Sequence, residues 1–375
     1  MAVKKELKIH NKSDKPDNII LKENEIMEKC QAIQDELPRF MSGFFVYLKG
    51  NVLPMTRLAY LQDIRFFCNY LIHETDLTRA EKIRDIRLED FEQIKAADVN
   101  IFIDYCRRYK VEKDNAVYIY ENDKKSLSRK KSSLSVLFKY LYRDELISRN
   151  ITDAFDPIKL PKPGEREIKA LQDDEVMRML DAVTTGGNLT KKEREFWEKT
   201  KRRDKAILIL FLTYGLRLSE LQQLNVSSFN FSRGEFKIYR KRGKESVMPL
   251  NKSVMKAVSE YINEERAADE SLEAQHRGAL FLSLQGKRMT ERQIRELVKK
   301  YTSIGLATSR DAGYSPHKLR ATAATSLIGR GNSIFDVQAL LDHENVTTTQ
   351  LYAAHKKNVK QDLVRNFEWE DEYDQ

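Results

Sequence analysis

Three observations predict a mainly α fold in two domains. Apolar residues recur at intervals of three and four through most of the chain. A stretch at 156–167, DPIKLPKPGERE, carries three prolines and a glycine and interrupts that pattern. One later segment, FKIYRKRGKESVMPL, alternates instead around KRGK, which predicts a small β-hairpin with basic residues at its tip. A length of 375 residues suits two domains at ~150 residues each.

The elements follow in order. Residues 1–34 are polar and charged and read as an arm or extension with at most a short helix. From 35 to 158 the spacing is helical, first in FMSGFFVYLKG and then in TRLAYLQDIRFFCNYLI, for which Thr56 is a suitable N-cap. Residues 87–110 read as two further helices, and SLSRKKSSLSVLFKYLYRDELI, from Ser126, as another with a basic start. Free N–H groups at such a start suit phosphate contact, so Arg129, Lys130 and Lys131 are candidate DNA contacts. After the linker, with 159–167 as its least patterned part, ALQDDEVMRMLDAV opens a second domain at 168–360. A polar insertion is expected at 184–203, then an apolar helix, a turn at Gly215 and a second helix. The remainder reads as helical, with loops near 265–279 and 305–316, and an acidic tail covers 361–375.

Composition narrows the function. Hydrophobic residues make up 41% and charged residues 33%, enough apolar content for ordinary cores and too much for pervasive disorder. No run approaches the ~20 apolar residues of a membrane span, and the first residues lack the apolar core of a secretory signal, so a cytoplasmic protein is expected. Cys30, Cys68 and Cys106 cannot form a disulfide framework, and no CxxC suggests a structural zinc site. The balance of 66 basic against 57 acidic residues gives +9. Residues 201–250 alone carry eleven Lys/Arg against four Asp/Glu, and 123–140 six against one. The tail reverses the sign, with six acidic residues and one basic. Two basic blocks suit phosphates, while the acidic end suits contact with another protein.

The common enzyme fingerprints are absent: GxxxxGK[ST], strand–GxGxxG–helix, HExxH and GxSxG do not occur. No nucleotide, metal or other cofactor is therefore expected. What remains is a set of cationic and imidazole side chains in four short segments. Arg217 lies in TYGLRLSEL, and Lys241 and Lys244 in YRKRGKES. His317 and Arg320 lie in SPHKLRATAATSL, neighbours at i and i+3 on one helix face, with Pro316 suited to the helix start. His343 lies in LLDHENVTTTQLY, nine residues before Tyr352. Two arginines, a lysine and two histidines can surround one phosphate, the arginines as forks for its oxygens and the others as proton carriers. A nearby tyrosine hydroxyl is then a nucleophile candidate. Each residue alone has an ordinary structural role to play; their joint order carries the signal.

In that order and at those distances, GLRLSEL, the basic hairpin, HKLR and LLDHENVTTTQLY resemble the tyrosine recombinase (phage integrase) family, and within it the Xer-like and mobile-element integrases. The likeness covers 168–360 and reaches back into SLSRKKSSLSVLFKYLYRDELISRNITDAFDPIKLPK, similar to the end of the family's helical, SAM-like core-binding domain. It implies that Arg217 and Arg320 clamp the scissile phosphate, His317 assists proton transfer, His343 donates a hydrogen bond and Tyr352 attacks phosphorus to form a 3′-phosphotyrosine. Lys241 aligns best with the lysine that protonates the leaving 5′ oxygen; Lys244 is the fallback and Arg242, otherwise a DNA contact, a weaker one. Glu220, three residues after Arg217, can orient an active-site cation. The resemblance further implies double-stranded DNA with specific sites as substrate, a homotetramer on two sites, a Holliday-junction intermediate and an accessory DNA-bending protein as a possible partner. A catalytically decayed site-specific DNA binder and a type IB topoisomerase are the competing readings. Ala321, Ala323 and Asp342 depart from the pattern, Asp342 standing where relatives often have Gly.

Overall fold

The computed structural model describes residues 15–160, 169–240, 244–268 and 271–342. The fold is mostly helical, as expected, with two small antiparallel sheets among the described residues. The chain forms two compact units, Met1–Pro161 and Lys162–Gln375.

The first unit contains α1 (Asp17–Glu36), α2 (Ser42–Asn51), α3 (Pro54–Glu74), α4 (Leu88–Glu92), α5 (Ala96–Tyr105), β1 (Arg108–Lys113), β2 (Ala116–Glu121) and α6 (Lys124–Arg143). Its core is aromatic, with Phe44, Phe67, Phe91, Phe102 and Phe138 fully buried. Phe67 meets Phe102 edge-on at 4.9 Å between ring centroids.

Three expectations are corrected here. The polar arm through residue 34 is instead, from Asp17, a 20-residue helix lying along α3, with Cys30 and Ile33 in the core. Thr56 is not the cap of α3: the helix begins two residues earlier, with Pro54 in its first turn after Leu53. The segment after α5 turns into a β-hairpin, with register Lys113↔Ala116 and a two-residue turn. Asp114 and Asn115 both take positive φ (52° and 59°), the backbone such a turn requires. The start of α6 is capped, with Ser126 N–H donating to the Asp123 carboxylate at 2.8 Å.

The second unit is built around α9 (Lys201–Tyr214), whose Ala206, Ile207, Leu208, Leu210 and Phe211 are fully buried. A helix apolar on nearly all sides needs neighbours all round. It has them in α7 (Asp173–Thr185), α11 (Lys252–Glu260) and α13 (Pro316–Gly329). Between α7 and α9 lies α8 (Lys191–Trp197), within the expected polar insertion. Trp197 is buried and its indole N–H donates to Val183 O at 2.8 Å, while Glu193 pairs with Arg310 through two bonds of 2.9 and 3.0 Å. Arg310 holds the Glu193 carboxyl down at about 2.

After α9 come α10 (Leu218–Gln222), then β3 (Phe229–Asn230), β4 (Glu235–Tyr239) and β5 (Glu245–Pro249), paired in that order. The expected basic hairpin is thus the β4–β5 pair, with Tyr239 opposite Glu245. A π-helical turn, Tyr261–Arg266, continues α11. Then follow α12 (Glu291–Gly305), α13 and α14 (Ile334–Leu341). All three cysteines are buried and free.

Candidate active site

The site forms where three elements end together. Helix α9 stops at Gly215, whose φ of +55° reverses the chain. A Cβ at that position would lie 2.5 Å from Leu341 Cδ2, so the missing side chain lets α14 come close.

Two residues on, Arg217 stands at the N-cap of α10. Its N–H donates to Glu220 Oε2 at 2.8 Å, and its Nη1 pairs with Glu220 Oε1 at 2.7 Å. Glu220 is buried, so the pairing offsets the cost of desolvating its charge. The other fork nitrogen, Nη2, donates to Asp342 O at 2.9 Å.

Arg320 comes from α13, where Pro316 holds the first helical position as the sequence predicts. Its guanidinium is buried, with Nη1 donating to Gly215 O at 2.6 Å and Nη2 to Leu341 O at 2.5 Å. His317 is exposed one turn earlier on the same helix. It is therefore the more accessible of the pair.

A third arginine joins them that sequence reasoning missed. Arg240, directly after β4, donates from Nη2 to Leu340 O at 2.8 Å and from Nη1 to Leu341 O at 3.2 Å. The signal for it was present in the strand's parity. Phe236 and Ile238 face the core, and Arg240 continues that inward series. Burial pulls the Arg240 guanidinium down from its ordinary value, and nearby Arg217 adds to this, while Glu220 and Asp342 oppose it.

Three guanidinium groups thus meet the carbonyls of residues 340, 341 and 342. These are end-of-helix carbonyls of α14, which lack partners within the helix and carry its negative pole. Helix α14 ends because Asp342 takes a left-handed conformation, φ 51° and ψ 53°. Glycine would adopt this backbone without strain. The Asp342 carboxylate lies 4.0 Å from Arg217 Nη1, 4.0 Å from Arg240 Nε and 3.7 Å from Lys244 Nζ. Lys244 is otherwise well exposed. The structure therefore brings Arg217, Glu220, Lys244 and Arg320 to one place. Lys241, Arg242, His343 and Tyr352 lie outside the described residues. Among the described residues no group of three or more His, Cys, Asp or Glu is placed to hold a metal ion. No described helix is long and apolar enough to cross a membrane.

The basic start of α6 lies in the first unit, and its three cations have internal partners. Arg129 pairs with Asp63. Lys130 is buried, with Nζ 3.3 Å from Asp63 Oδ1 and 4.6 Å from the centroid of the Phe66 ring. This corrects its reading as a DNA contact, since a buried ammonium on a carboxylate and a ring serves the fold. Lys131 donates to Phe155 O and Asp156 O at 3.2 and 2.6 Å.

Comparison with known proteins identifies the family. Residues 169–359 match the phage integrase family. The chain is 32% identical over 308 residues to the tyrosine recombinase XerC of Caldanaerobacter subterraneus, covering 80% of this chain and 77% of that protein. It is 29% identical over 326 residues to XerC of Syntrophus aciditrophicus, covering 86% and 93%. Among solved structures, the Tn1549 transposon integrase in complex with circular intermediate DNA has a TM-score of 0.56 at 20% identity, over 91% of this chain and 99% of that one. The XerH recombinase bound to palindromic difH substrate has 0.58 at 15% identity, over 83% and 78%. The family match and the relatives define an enzyme that cleaves and rejoins DNA. The chain belongs to the phage integrase family and is a Xer-type tyrosine recombinase, an enzyme of site-specific DNA recombination.

Proposed function

We propose that the protein exchanges strands between two specific DNA sites through a 3′-phosphotyrosine intermediate on Tyr352. One observation carries this reading. Arg217 and Arg320, from separate helices, converge on the end of α14, and the chain continues from there to His343 and Tyr352. A cationic site therefore lies at the point from which the chain leads on to His343 and the proposed nucleophile.

In the proposed reaction the Tyr352 hydroxyl attacks phosphorus and gives up its proton, with His317 assisting the transfer. The bond from phosphorus to the 5′ oxygen breaks, and that oxygen takes a proton from Lys241, with Lys244 as the alternative donor. Arg217 and Arg320 neutralise the charge that builds on the non-bridging oxygens, His343 adding a hydrogen bond. The phosphotyrosine keeps a phosphodiester's energy, so a 5′ hydroxyl from the second site reverses the step without ATP. In the free chain the Asp342 carboxylate stands 3.7–4.0 Å from Arg217, Arg240 and Lys244, and an incoming phosphate would compete with it for Arg217 and Lys244. Arg129, Lys131 and Arg242 are proposed to contact backbone phosphates, which would position the duplex rather than read its sequence. A tetramer on two sites and a Holliday junction complete the proposal, with an accessory DNA-bending protein as a further partner.

Two plasmid-borne sites in chelator provide the test. Recombinant products that include Holliday junctions are the expected outcome. Relaxation of supercoils without recombinants would favour the topoisomerase reading instead, and specific binding without strand breakage the decayed binder.

A further inference from the structure

We propose that Arg240 is a positioning residue for strand cleavage: it ties the base of the β4–β5 hairpin to the last turn of α14 and so fixes where the nucleophile-bearing chain leaves that helix. This rests on the tyrosine recombinase mechanism given above.

Arg240 is bound at both ends. Its backbone N–H donates to Lys244 O at 2.8 Å, closing the hairpin across the segment that contains Lys241. Its side chain, 3% exposed, runs inward to Leu340 O and Leu341 O. It is not chiefly half of an ion pair. Glu220 Oε1 lies 3.9 Å from Arg240 Nη1 and is engaged at 2.7 Å by Arg217. Apart from a long contact of Nη2 with Met248 Sδ at 3.7 Å on the same hairpin, the direct bonds of the Arg240 side chain therefore go to the main chain of α14.

Exposure separates Arg217 from Arg240; Arg320 is as enclosed as Arg240, and its place on the phosphate comes from the proposed mechanism. Arg217 and Arg320 also hold carbonyls at the end of α14, but in the reaction both are needed on the phosphate. As their forks turn to the DNA, their hold on residues 341 and 342 weakens. Arg217 has a side chain 31% exposed and can reach a ligand; Arg240, almost wholly enclosed, stays on residues 340 and 341. It keeps the end of α14 in place while the other two work. A planar fork is needed for this, because the single nitrogen of a lysine cannot span two carbonyls in the same geometry.

The test compares wild type, Arg240→Lys and Arg240→Met in single-turnover cleavage of a nicked suicide duplex at saturating protein. Binding to the same duplex and thermal unfolding are followed in parallel. Arg203→Lys serves as a control, since Arg203 donates to Leu282 O and pairs with Asp204 at the opposite end of α9. The expected result is a fall in the rate of covalent adduct formation of roughly 10- to 100-fold for Arg240→Lys, with duplex affinity within about twofold. Arg240→Met is expected to lose at least as much, and Arg203→Lys to lower the unfolding temperature without changing the rate. Wild-type rates in both Arg240 variants would overturn the proposal. So would a rate loss matched by an equal loss of binding, or by the same loss in the control. If Arg240→Met fails to fold, Arg240→Lys decides alone. Absence of an adduct from wild type on a duplex it binds specifically overturns the underlying mechanism, and the proposal with it.

Discussion

Asp342 shows how one residue can serve both backbone and charge. It ends α14 with positive φ, a conformation that disfavours most side chains, and its carboxylate faces Arg217, Arg240 and Lys244. The negative charge balances the cations but also competes with phosphate. Asp342→Asn keeps the shape and removes the charge. Its duplex affinity at low salt should rise by roughly 2- to 5-fold, the scale of one partly exposed ion pair, and titration against salt checks this. Weaker binding would show that the carboxylate organises the arginines more than it blocks them. At this scale much was legible in the sequence. Glu220 was readable from its i, i+3 spacing to Arg217, and the two form the expected pair. Arg240 was overlooked because four cations within YRKRGK read as one exposed tip, although the parity from Phe236 through Ile238 pointed inward. Lys130 was misread for the opposite reason. A cation on a basic helix looks solvated in sequence, and only the tertiary fold reveals Asp63 and Phe66 beside it.

Among the elements, α9 and α14 meet at Gly215. Gly215→Ala would introduce strain at positive φ and a clash with Leu341. A loss of stability of about 1–2 kcal/mol is expected from the backbone alone, measurable by urea unfolding. Adduct formation should fall as well, because α14 is displaced. Wild-type stability would contradict the close approach of the two helices. The start of α9 offers a pH test. Glu265 accepts from the N–H groups of Arg202 and Arg203 at 2.9 and 3.3 Å, and burial raises its carboxyl from 4.5 to about 7. A carboxyl raised in the folded state binds its proton more tightly there than in the unfolded chain. Its contribution is thus fully present below pH 4.5 and is lost as pH rises to about 7. Glu265→Gln should therefore flatten the decline in stability between those values, as measured by unfolding at a series of pH values. An unchanged slope would show that Glu265 is not its source. The turn at Gly215 and the start of α13 were readable from local signals. Helix α1 was not, because only a narrow edge of it is apolar, Cys30 and Ile33 being buried among mostly charged neighbours. The β1–β2 hairpin hid because β2 is exposed along its whole length, leaving no alternation of burial, and its Asp-Asn turn was the unused clue.

For the molecule as a whole, the linker near 156–167 and the change of pattern beyond it were visible as punctuation, and the chain divides at Pro161–Lys162. The family was legible because four short segments keep their order over some 135 residues, from Arg217 to Tyr352. What joins them was not legible. Carbonyl groups carry no sequence signature, and it is the carbonyls ending α14 that gather Arg217, Arg240 and Arg320. The central claim is that this gathering serves a tyrosine nucleophile. It is tested most directly by incubating wild type and Tyr352→Phe with a specifically bound, nicked suicide duplex in chelator, then denaturing in SDS. The account predicts a covalent protein–DNA adduct from wild type and none from Tyr352→Phe, with both proteins binding the duplex equally. An adduct that persists in Tyr352→Phe, or its absence from wild type despite specific binding, would contradict it.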